Sequence, residues 1–152
     1  MLTFELLSNQ VYPMPGMADI IATFQHNIPL GIVSNAQFYT PLIMNHYLKN
    51  EPSEEAIPPF DPDLTVFSFK LGKGKPDSYL YKSIIPNLKN KNTGWNQEAL
   101  FIGNDMLNDV YAANKAGFKT ALFAGDKMFA KVEERQDRFP EARLCYHGIT
   151  TT

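Results

Sequence analysis

Cysteine is almost missing from this sequence, with Cys145 the only one. A single thiol excludes an intrachain disulfide and a cysteine cluster for zinc. Long hydrophobic runs are missing too, since no apolar stretch approaches the roughly 20 residues that span a bilayer. Neither sign of charge dominates: 14 Lys and Arg stand against 16 Asp and Glu, for a net charge of −2. Without a basic stripe, nucleic acid and anionic membranes are excluded as main partners. His26, His46 and His147 lack metal-ligand spacing and read as surface or core histidines. Gly72-Lys73-Gly74-Lys75 lacks the earlier glycine and the following Ser or Thr of a phosphate-binding P-loop, so that reading fails. The opening residues, Met1-Leu2-Thr3-Phe4-Glu5, lack the basic start and cleavage site of a signal peptide, and a cytoplasmic location is the expectation.

What is present is an ordinary globular composition, 44% hydrophobic and 20% charged over 152 residues, with the length of one domain. Tyr12 to Gly16 breaks the chain, and Met17, Ile20, Ile21 and Phe24 then recur at helical spacing. Leu30-Gly31-Ile32-Val33 has the unbroken apolar character of a buried parallel strand. Thr40 and Pro41 read as an N-cap and first helical residue, with Ile43, Met44, Tyr47 and Leu48 as the apolar face. Glu51 to Pro62 reads as a surface loop, and Leu64 to Phe69 as the next strand. Pro76 is expected to open a helix that Pro86 ends, with Asn87 to Gln97 a polar loop. Leu100-Phe101-Ile102 is a third strand, and a helix from about Met106 runs to Gly117. Lys119 to Ala124 gives a fourth strand, Lys131 to Arg138 a solvated helix and Ala142 to Tyr146 a short last strand. Strands alternating with helices define an α/β class with a mainly parallel sheet.

The chemistry gathers where strands end. Phe101-Ile102-Gly103-Asn104-Asp105 is followed by Asp109, so two carboxylates four residues apart stand at a strand's carboxyl end. Open α/β sheets bind ligands at that edge, and paired hard oxygen donors suit Mg²⁺ with a phosphate substrate. Ser34-Asn35 follows the first strand, and Lys75-Pro76-Asp77 follows the second.

These three motifs, in this order, resemble the haloacid dehalogenase (HAD) superfamily, whose members are mostly Mg²⁺-dependent phosphatases. The resemblance runs from about Tyr12 to the end of the chain. It implies a three-layer, Rossmann-like fold with helices on both faces of a mostly parallel sheet. Gly31 to Asn35 is similar to the family's second motif, whose Ser or Thr hydrogen-bonds the transferring phosphoryl group. Gly74 to Asp77 is similar to the third, whose lysine offsets negative charge. Gly103 to Asp109 is similar to the fourth, whose acids hold Mg²⁺. By that resemblance Ser34, Asn35 and Lys75 bind phosphate, Asp105 and Asp109 take the metal, and Asn104 and Asn108 support them. The family usually has an acid directly after the glycine, where this chain has Asn104. Two registers follow: Asp105 takes the role, or Asn104 stands in as a neutral group that weakens metal binding.

One motif of the family is not found. Its nucleophile is an aspartate in Asp-x-Asp at the end of the first core strand, which lies between the strands of the second and fourth motifs. Before Ser34 the only aspartate is Asp19, within an expected helix. Asp61-Pro62-Asp63 has the spelling but precedes a strand, and a turn or capping role is the better account. The expectation is thus a partial core domain over 13–152, with 1–12 the end of a cap or linker. First core strand and most of the cap would be missing, and the chain would be inactive alone. Its complete form would hydrolyse a small phosphorylated metabolite. The alternatives are a non-catalytic binding or assembly module, or one half of a split enzyme, with a homo-oligomer or partner chain completing the sheet.

Overall fold

The computed structural model describes residues 12–50, 52–53, 56–91 and 98–123. The chain falls into two compact units, Met1–Gly72 and Lys73–Thr152. The elements expected over 131–138 and 142–146 lie outside the described residues.

In the first unit, helix α1 (Met17–Phe24) leads to strand β1 (Ile32–Ser34) and helix α2 (Thr40–Tyr47). A 3₁₀ turn (Pro62–Leu64), strand β2 (Thr65–Phe67) and a short helix α3 (Ser68–Leu71) follow. β1 and β2 pair in parallel, with Ile32, Val33 and Ser34 opposite Thr65, Val66 and Phe67. Ile57, Leu64, Val33, Val66 and Phe67 are its buried apolar residues. Three expectations need correction here. The second strand is shorter than Leu64 to Phe69, because the backbone turns helical at Ser68, which leaves Phe69 exposed. Helix α2 buries Pro41 and Asn45 rather than the apolar face of Ile43, Met44, Tyr47 and Leu48. Asn45 is wholly buried because its amide is fully used: it donates to the Ser53 and Ala56 carbonyls and accepts from Asn50 Nδ2. A buried amide is tolerated when its hydrogen bonds are made, and these bonds stitch the loop to the helix. The cap also shifts by one residue, with Tyr39 at the N-cap and Thr40 and Pro41 inside the first turn. Asp61 takes the capping role assigned to it, its side chain accepting from the Asp63 N–H at the head of the 3₁₀ turn.

In the second unit, helix α4 (Tyr79–Asn90) precedes strand β3 (Leu100–Gly103), a π-helical segment (Met106–Tyr111), helix α5 (Ala112–Lys115) and strand β4 (Lys119–Leu122). β3 and β4 are parallel, from Leu100 opposite Lys119 to Gly103 opposite Leu122. Leu80, Tyr81, Val110, Ala112, Ala113 and Phe118 are buried. Gly117 ends the helical stretch with a φ of 98°, a left-handed conformation that favours glycine. Pro86 does not end α4 but sits inside it. It removes the N–H that would bond the Lys82 carbonyl, and Lys82 is exposed. α4 therefore absorbs Asn87 to Asn90 from the expected loop.

The parallel α/β fold with helices around short strands is as expected, arranged as one two-stranded sheet per unit. Among the described residues neither β1 nor β3 pairs with a third strand.

Candidate active site

The carboxyl end of β3 builds the centre of the site. Asp105 is the N-cap of the π-helical segment, and its Oδ1 accepts from the Leu107 N–H at 2.8 Å and the Asn108 N–H at 2.7 Å. A carboxylate there satisfies two backbone donors that a helix start leaves without partners. The Asp105 carbonyl accepts from both the Asp109 and the Val110 N–H, and the second of these bonds widens the turn. Asp109 thereby folds back over the strand end. Its Oδ2 accepts from the Asn104 and Asp105 N–H groups at 3.0 and 3.1 Å. Two successive backbone donors aimed at one oxygen form a small anion nest. Gly103 is what permits this approach, because a Cβ on it would overlap Cβ, Cγ and Oδ2 of Asp109.

Lys75 completes the cluster. Its ammonium contacts Asp109 Oδ1 at 2.5 Å, and both side chains are nearly buried, at 10% and 8% exposed. The ammonium also lies 5.3 Å from the Phe101 ring centre and 5.9 Å from that of Tyr81. A buried ion pair costs desolvation and gives little net stability in return. Here each partner is further compensated, Asp109 by the nest and Lys75 by two aromatic faces.

Tyr81 underlies this arrangement. It is wholly buried, packs edge-on against Phe101 and Phe118, and donates its hydroxyl to the Asn108 carbonyl at 2.8 Å. Burial first, and then the charge of Asp109, push its phenol well above the ordinary tyrosine range, so it stays a neutral donor.

Of the residues singled out from the sequence, Lys75, Asn104, Asp105, Asn108 and Asp109 come together in the second unit. Asn104 contributes its backbone to the nest, its residue being exposed, and Asn108 contributes a carbonyl. Ser34 and Asn35 belong to the first unit, at the carboxyl end of β1. Their loop is fastened by Ser68, whose hydroxyl accepts from the Ala36 N–H and donates to the Ala36 carbonyl. Sequence reasoning missed Ser68, Tyr81 and the close approach at Gly103. Tyr81 had a usable signal, since a tyrosine on a buried helix face needs a partner for its hydroxyl.

The donors at the end of β3 suit Mg²⁺ rather than a softer metal, because all are oxygens. Among the described residues no group of three or more His, Cys, Asp or Glu side chains gathers around one point.

With this geometry in view, the chain can be set against known proteins. Residues 72–144 match the family model described as HAD-hydrolase-like, a span that contains the whole Lys75–Asp109 cluster. The fold matches the HAD-hydrolase YfnB from Bacillus subtilis, whose orthorhombic crystal form, bound to magnesium, reveals interdomain movement. That match has a TM-score of 0.54 at 22% identity and covers 74% of this chain and 46% of YfnB. No curated protein matches the chain. Residues 72–144 are thus similar to the HAD-like hydrolases, and the chain spans less than half the length of the solved relative. No helix among the described residues is long and apolar enough to cross a membrane.

Proposed function

We propose that this chain carries the phosphate-handling part of a Mg²⁺-dependent phosphatase acting on a small phosphorylated metabolite. The observation that carries the reading is the buried Lys75–Asp109 pair at the carboxyl end of β3. Such a pair is poor value as a stabiliser, and its place is the ligand edge of an α/β sheet. Phosphoryl transfer depends mostly on positioning and charge stabilisation, which is what fixed cations and donors supply. In this reading Lys75 offsets charge on the phosphoryl oxygens, and Ser34 and Asn35 donate hydrogen bonds to them. Asp105 and Asp109 are the carboxylates for Mg²⁺, with Asn104 and Asn108 supporting them. The ion, when bound, would neutralise phosphate charge and orient the group for in-line attack.

The attacking carboxylate is not among the residues that align with the family's motifs, so this chain by itself does not turn over. A second reading, a binding or assembly module without catalysis, is favoured by β1 and β3, which lack a third strand among the described residues. A homo-oligomer or partner chain would then complete the sheet. Amide NMR with added Mg²⁺ tests the first reading. Shifts are expected at Asn104 to Asp109 and lost in Asp105→Asn. Shifts scattered over surface carboxylates, or retained in Asp105→Asn, would reject it.

A further inference from the structure

We infer that Tyr81 is a positioning residue that sets the ion pair from beneath, an inference that rests on the proposed role of the Lys75–Asp109 pair. Tyr81 faces one half of that pair with its ring and holds the residue before the other with its hydroxyl. Its ring lies under the Lys75 ammonium, 5.9 Å from the ring centre, and its hydroxyl holds the carbonyl of Asn108, the residue before Asp109. The ring cannot slide, because Phe101 at 4.9 Å and Phe118 at 6.2 Å abut it edge-on.

The π-helical turn explains why such a brace is useful. Widened turns of this kind are uncommon, and here the widening carries Asp109 back over Gly103 to the Asn104 and Asp105 N–H groups. A donor from a neighbouring helix, fixed to the carbonyl within the turn, favours the wide form over an ordinary α-helical one. Tyr81 itself has no access to substrate, being wholly buried. It acts through Asp109 and Lys75.

The test replaces Tyr81 with Phe, which keeps the ring and removes only the hydroxyl. Amide hydrogen exchange is read at Asn104, Asp105 and Val110, whose N–H groups report the nest and the wide turn. Loss of one net hydrogen bond predicts about fivefold faster exchange at these amides. Lys119, whose N–H bonds the Ala99 carbonyl in the same unit, should stay within about twofold. Ile84→Val, a conservative trim of another buried residue of α4, supplies the control for general loosening. If Tyr81→Phe speeds all these amides equally, as Ile84→Val would, Tyr81 is a packing residue and the inference fails. It fails equally if the Asn104 and Asp105 amides are unchanged. The measurement uses neither Mg²⁺ nor substrate, so the brace can be rejected or upheld whatever becomes of the phosphatase reading.

Discussion

Helices α1 and α4 look alike in sequence and differ in the fold. Each repeats apolar residues at helical spacing: Met17, Ile20, Ile21 and Phe24 in one, Leu80, Tyr81, Ile84 and Leu88 in the other. Helix α4 buries all four of its set, whereas α1 buries nothing, with Ile20 58% and Phe24 46% exposed. Periodicity shows that a helix has an apolar face but not what covers it. In α4 the cover is β3 and the wide turn, because Tyr81 packs on Phe101 and binds the Asn108 carbonyl. The face of α1 leaves Met17, Ile20 and Phe24 exposed.

That contrast can be sharpened by mutation. The largest effect is expected at the charge pair that α4 supports. Asp109→Ala strands a buried ammonium and should cost about 3–5 kcal/mol, read as a fall in urea midpoint. A loss below about 1 kcal/mol would mean that Lys75 escapes to solvent and that the pair is not constrained. Next comes a matched pair of truncations. Leu80→Ala, at a fully buried position, should cost about 2–5 kcal/mol, while Ile20→Ala on the exposed face should stay within about 0.5 kcal/mol. Equal losses would show that α1 is covered in solution and would break the comparison.

Much of the site was legible before the structure, and the physical reason differs by residue. Lys75, Asp105 and Asp109 were visible because their motifs resemble those of the HAD superfamily in order and placement, and the fold brings Lys75 onto Asp109. The roles within that cluster were not visible. Nothing in the spacing of Asp105 and Asp109 says that one caps a turn with a single oxygen while the other is enclosed by a cation and two amides. That division depends on a widened turn, which follows from tertiary contacts rather than from propensity. Strand order along the chain was readable from apolar runs, but strand ends were not. Ser68 and Phe69 have strand-like neighbours and still turn helical, and Ser68 then ties down the loop after β1. Pro86 illustrates the opposite error: a strong local breaker is outvoted by Leu80, Tyr81, Ile84 and Leu88, which are buried on both sides of it.

The most direct test of the central claim is calorimetric titration of inorganic phosphate into the chain, with and without Mg²⁺. The account predicts binding that strengthens when Mg²⁺ is present and that Asp105→Asn uncouples from the metal. Phosphate heats that ignore both Mg²⁺ and Asp105→Asn would contradict it.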